Sequence, residues 1–278
     1  MNNMKKRIRY SLVILAVALL IVLCQQLLWG KLFPYTPVKI GFTKHELRSV
    51  VIYAQDGCDT GVCETIDARI HDIEEFHGLK FTQKPEILVF HDSGSYLSHS
   101  VTKARFYAYP NGSVVVSPWA VREAHEGVIS MDTYLAHELS HSLLNQHMGF
   151  MTSYFFFPRW LLEGIAVCSV NQMGTSWYPS KAQTYAYIRQ GNFMPPGYFN
   201  TRNEDQVPLN VQFRSTFAYS EFACLVDYLK VVHGTDKFAG YVARLLNSCD
   251  PEQTFRDVYG INFDTCLQDF RKYVQEHQ

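Results

Sequence analysis

The residues best placed to do chemistry are His137, Glu138 and His141, in the run His137-Glu138-Leu139-Ser140-His141. On a helix, residues four apart lie one turn above each other on one face. The two imidazoles then point the same way and can share one metal ion, with Glu138 projecting from the adjacent position. In this H-E-x-x-H spacing the two His bind zinc and the Glu acts as general base toward a water. A catalytic metal needs a third protein ligand and one open position. Glu163, 22 residues after His141, sits among Trp160, Leu161, Leu162, Ile165 and Val167. A carboxylate in such surroundings is costly to bury unless it is paired or ligates a cation. The plainer reading is a surface Glu, or one paired with Arg159 four residues earlier. The nearby His pair, which lacks a third ligand, favours the metal reading.

Three helices must position these groups. The first begins near Met131, with Asp132 or Thr133 as the expected cap and Tyr134, Leu135, Leu139 and Leu143 as its apolar stripe. The second follows Pro158, which suits a first helical turn. The third covers residues 216–229 and carries Tyr219 near its start. Upstream, residues 49–54 and 86–91 read as strands, and 62–76 as an amphipathic helix with Ile66, Ile70 and Ile73 on one side. Residues 105–109 and 113–117 form a hairpin around Asn111-Gly112. Its second strand, with Val114, Val115 and Val116, is expected at a sheet edge, where an extended peptide could add main-chain hydrogen bonds. Residues 181–189, 238–246 and 263–274 read as further helices. Residues 191–208 read as a loop that could cover a substrate.

The body is mildly acidic. Residues 1–30 hold Lys5, Lys6, Arg7 and Arg9 and no acid, leaving 21 basic against 26 acidic residues elsewhere. That balance argues against nucleic acid as a partner. The basic start precedes an unbroken apolar run over 12–23, and residues 10–29 are long enough to cross a bilayer. Positive charge before the run keeps the N-terminus in the cytoplasm and sends the rest across. A cleaved signal peptide is the competing reading. The lack of a small-x-small cleavage site favours an uncleaved anchor. Outside this segment lie Cys58, Cys63, Cys168, Cys224, Cys249 and Cys266. An even number suits disulfides in an oxidising compartment, with Cys58–Cys63, Cys168–Cys224 and Cys249–Cys266 as one pairing among fifteen.

Together, His137-Glu-Leu-Ser-His141, Trp160-Leu-Leu-Glu163-Gly-Ile-Ala166 and the Tyr219 helix resemble the gluzincin metallopeptidases, whose third zinc ligand is a Glu on a second helix. The resemblance covers about residues 105–230. It implies an α+β, zincin-like fold: a small mixed sheet with an edge strand before the H-E-x-x-H helix, then a mostly helical C-terminal half. It also implies Zn2+ held by His137, His141 and Glu163, Glu138 as base, and Tyr219 stabilising the tetrahedral intermediate. The Gly-x-Met-Glu-Asn motif of the aminopeptidase branch is absent, which shifts the expectation toward endopeptidase action. The thermolysin-type Asp four residues after the ligand Glu is replaced by Val167. The expected organisation is an anchor over 1–30, a linker over 31–45 and a metallopeptidase domain over 46–278, its α/β half 46–150 and its helical half 151–278. The expected function is zinc-dependent hydrolysis of peptide or protein substrates at the outer face of the cytoplasmic membrane. The rival is a non-catalytic, membrane-tethered peptide-binding or scaffold domain with a structural zinc, which would have no need of Glu138.

Overall fold

The protein is described here by a computed structural model covering residues 2–58 and 61–277. In chain order come α1 (Asn2–Trp29), β1 (Phe42–Glu46), β2 (Val51–Gln55), α2 (Gly61–Glu64), α3 (Ile70–His77), β3 (Glu86–Val89) and α4 (Ser93–His99). Then come β4 (Phe106–Ala108), β5 (Val114–Val116), α5 (Pro118–His125), α6 (Met131–His147) and α7 (Arg159–Ser169). The C-terminal part adds α8 (Lys181–Arg189), α9 (Arg214–His233), α10 (Thr235–Leu245), α11 (Pro251–Tyr259) and α12 (Phe263–Glu276).

The five strands form one mixed sheet in the order β1-β2-β3-β5-β4. β3 lies parallel to both β2 and β5, while β1 and β4 run antiparallel at the two edges. Interior parallel strands are buried on both faces, which is why Ile87-Leu88-Val89 and Val114-Val115-Val116 are unbroken apolar runs. The period of two divides them. Ile87, Val89, Val114 and Val116 pack with Leu135, Leu139 and Leu143 of α6. Leu88 and Val115 pack with Phe33, Phe90, Tyr96 and Tyr109 on the other side. The expectation that Val114–Val116 form an edge strand is therefore overturned. β5 is bonded on both sides, and the edge belongs to β4, the first strand of the same hairpin.

The segment expected to be a linker is also not free. Phe33 is fully buried in the second core. The Lys39 ammonium is buried 3.4 Å from the Glu86 carboxylate. Pro34 offers its carbonyl to Asn111 Nδ2 at 3.0 Å and Ser113 Oγ at 3.2 Å. Residues 42–46 are β1, which extends the sheet. The apolar spacing of this segment is too sparse to announce a strand, and partners from distant sequence hold it. The helix expected over 62–76 is broken instead into α2, a 3-10 turn at Thr65–Arg69, and α3.

None of the three expected disulfides forms among the described residues. Asp59 and Thr60 of the first expected loop lie outside them. Cys58 Sγ donates to the Val89 carbonyl at 3.4 Å, and Cys168 Sγ to the Ala223 carbonyl at 3.2 Å. Cys266 is buried in the helical core, whereas Cys249 is exposed. The thiols inside the body are used as small apolar groups, and burial pushes Cys168 up to about 12.

In the helical half, α7 lies hard against α9. A Cβ at Gly164 would stand 2.6 Å from the Phe222 carbonyl oxygen and 2.8 Å from its carbon, so only glycine permits this approach. The loop before α9 is pinned by the Met194 N–H donating to Glu221 Oε2 at 3.0 Å. Burial holds the Glu221 carboxyl well above the usual range.

Two outcomes follow. Gly164→Ala should cost at least about 1–3 kcal/mol, read as a lower melting temperature of the full chain, because backbone must move to admit the methyl group. Glu221 is protonated when folded and ionised when unfolded, so stability falls as pH rises above the unfolded value of about 4.3. Glu221→Gln, which cannot ionise, should melt above the parent at about pH 8, with the gap closing toward about pH 5. A gap that does not change with pH would contradict this account.

Candidate metal centre and cleft

Helix α6 starts at least two residues earlier than its expected caps allow. Ser130, not Asp132 or Thr133, caps it by accepting the Thr133 N–H at 3.3 Å. Its apolar stripe seats it on the sheet, which turns His137 and His141 toward α7. α7 in turn directs Glu163 at them. His137 Nε2 lies 3.1 Å from His141 Nε2 and 3.3 Å from Glu163 Oε2, and His141 Nε2 lies 3.5 Å from that same oxygen. Glu163 thus faces the two rings. Arg159 instead donates to the Tyr154 carbonyl at 3.4 Å.

These separations suit a metal. Bonds of about 2.0–2.1 Å to a tetrahedral zinc place ligand atoms about 3.3–3.4 Å apart. The donor set of two imidazoles and one carboxylate is that of a catalytic zinc site. Without a cation, two ring nitrogens at 3.1 Å must share protons or oppose their lone pairs. His137 Nδ1 lies 2.8 Å from Gln172 Oε1, so it carries the proton and Nε2 is free to ligate. Gln172 is fully buried just beyond α7. The sequence signalled it only as a lone polar residue near the end of an apolar helix.

Burial and neighbouring charges shift the titration of these groups. Burial pushes Glu138 upward, opposed by the charges of His141 and His137. The Ala108 N–H of β4 lies within bonding reach of the Glu138 carboxylate. Burial also works against ionised Glu163, but His141 and His137 outweigh it and hold that carboxyl well below its usual range. The Glu163 charge, with burial, raises Tyr219 well above the ordinary phenol, so its hydroxyl stays protonated and can donate. Behind α6, His77 Nε2 lies 2.9 Å from Ser140 Oγ, and burial lowers His77 to about 3, keeping it neutral. Nothing in the local sequence marks His77 for this position.

A cleft of about 680 Å³ opens over these groups. Tyr219 lines it, its ring stacked 6.4 Å from that of His137. Tyr178 stands beside it at 6.3 Å, while Tyr185 and Tyr228 belong to the helical core. Residues 104–108 and Pro110 form one wall, with Phe106, Tyr107 and Ala108 in the place expected of Val114–Val116. The 191–208 loop does reach the cleft, contributing Phe199, Asn200 and Glu204. Arg105 stacks on Trp177 at 4.6 Å and is paired with Glu123, whereas Arg159 has no carboxylate partner among the described residues.

No protein-family model and no curated protein sequence matches this chain. Among solved structures it is similar to an M1 zinc metallopeptidase from Deinococcus radiodurans, at 12% identity and a TM-score of 0.45. It is also similar to a two-domain M1 zinc metallopeptidase variant bound to L-arginine, at 13% identity and a TM-score of 0.45. In both comparisons 84% of this chain is covered, and the chain spans about half the length of the solved structure.

Proposed function

We infer that the chain is a zinc-dependent peptide-bond hydrolase acting as an endopeptidase, tethered by α1 to the outer face of the cytoplasmic membrane. The observation that carries this reading is the convergence of His137, His141 and Glu163 to within 3.5 Å at the floor of an open cleft. Glu138 and Tyr219 line the same cleft, on different helices. Zinc held there would supply Lewis acidity toward a water and a peptide carbonyl.

The chain's own groups account for the rest. Glu138, with its affinity for protons raised by burial, takes a proton from the attacking water and returns it to the leaving amine. Tyr219 donates its hydroxyl hydrogen toward the oxygen on which negative charge develops. β4, as an edge strand lining the cleft, offers main-chain groups to an extended peptide. The wall runs from Ala104 through the three-residue strand β4 to Pro110, so it continues past both ends of the strand. A wall that continues on both sides of the strand supports endopeptidase action. The 25 residues Lys5–Trp29 form a helix long and apolar enough to cross a membrane, with the basic cluster at its start. They support the tether and its orientation.

Glu138→Gln should retain zinc by elemental analysis of the purified chain, while cleavage of a mixed peptide library falls by about 10²–10⁴-fold. Unchanged turnover would remove the assigned base. Glu163→Ala should lose most of its zinc, and a content equal to that of the parent would refute the third ligand.

A further inference from the structure

A group of the large apolar side chains left exposed by the body lies where α1 ends. Trp29, Leu32 and Tyr35 are 56%, 37% and 37% exposed. Lys31 Nζ binds the Leu97 and Ser100 carbonyls, which sets Leu97, 40% exposed, beside them. The short helical segment after α6, π-helical over Thr152–Phe156, adds Phe150, Met151, Tyr154 and Phe155, at 62%, 56%, 44% and 65% exposure. Phe150 and Phe155 flank Tyr154, with ring centroids 4.8 and 6.0 Å away. Tyr154 is close enough to Tyr35 and Tyr107 to perturb both hydroxyls, and Tyr35 packs edge-on to Tyr109 at 5.7 Å. From Met148 to Pro158 there is no Asp, Glu, Lys or Arg. Apolar patches of this kind are uncommon on soluble surfaces and mark contact sites. Aromatic residues with one polar end favour the headgroup region of a bilayer.

We propose that this face is a membrane-contact surface whose occupant is phospholipid, with the helical segment 150–155 and Tyr35 seated among the headgroups beside the exit of α1. The argument for lipid over another protein is continuity. The patch begins at the last residue of the apolar helix, and buried Phe33 leaves no slack to carry the body away from that level. The inference rests on the membrane tether proposed above and adds to it. Because Tyr154 and Tyr107 also line the cleft, one side of its mouth then opens at the bilayer surface. The substrates it fits are segments of proteins held close to a membrane.

The test uses the full chain with the exposed Cys24 and Cys249 changed to Ser. Phe150→Cys, Phe155→Cys or Val128→Cys is added singly, and each thiol carries an environment-sensitive fluorophore. All three positions are exposed, so labelling leaves the core intact. Val128 is the control, beyond the far end of α6, a helix of 17 residues and about 25 Å. Flotation with phosphatidylcholine–phosphatidylglycerol vesicles reads the tether. Emission and quenching by phosphatidylcholine doxyl-labelled near the headgroup read the patch. The expected result is flotation of all variants, with a blue shift and quenching at 150 and 155 but not at 128. Floating chains whose labels at 150 and 155 behave like that at 128 would overturn the patch and leave the tether standing. Chains that do not float would overturn both. A blue shift in detergent that depends on protein concentration, without lipid quenching, would assign the face to a second copy of the chain and overturn the proposal.

Discussion

The structure depends on holding three like-natured electron donors closer together than they would stay by themselves. Two imidazole nitrogens and a carboxylate oxygen within 3.5 Å of one another gain nothing from that proximity unless protons or a cation lie between them. The cost must be met by packing elsewhere. α6 meets it on the sheet side through Leu135, Leu139 and Leu143. α7 meets it on the other side through its contact with α9, which the missing side chain of Gly164 makes possible. The two cores are thus the jaws of a vice, and the donor atoms are what the vice holds.

Around that point the polar groups are arranged so that each does one thing. Gln172 fixes the tautomer of one imidazole, and Ser140 meets neutral His77 behind the helix. Tyr219 is kept protonated by the charge it faces. Glu138 is half-buried between the histidines and the edge strand, within reach of the Ala108 amide, so the site and the strand that would hold a substrate are joined through one carboxylate.

What could be read from the sequence was what local periodicity carries. The H-E-x-x-H helix, the Glu163 helix and the Tyr219 helix all show apolar residues at helical spacing, and all three occur close to where they were expected. The hairpin at Asn111-Gly112 was also legible, because its turn chemistry is local. Which of its strands lay at the edge was not, since that depends on whether β3 pairs with the near or the far strand. The role of Gln172, the burial of His77 and the use of residues 33–46 as structure depend on partners distant in sequence. The cysteines misled for a related reason: an even count is equally compatible with thiols that fill small apolar spaces.

The segment between α1 and the sheet is built into the folded body. Phe33 in the core, Lys39 beside Glu86 and the Pro34 carbonyl bound by Asn111 leave almost no free chain between the apolar helix and the folded body. A flexible leash would let an active centre sweep a hemisphere. Under the function proposed above, a stiff mount would instead fix its altitude, so that a cuttable bond would be selected by its height above the lipid as well as by its neighbours in sequence. Lengthening the mount by a few residues would change which bonds come within range without touching any group in the cleft.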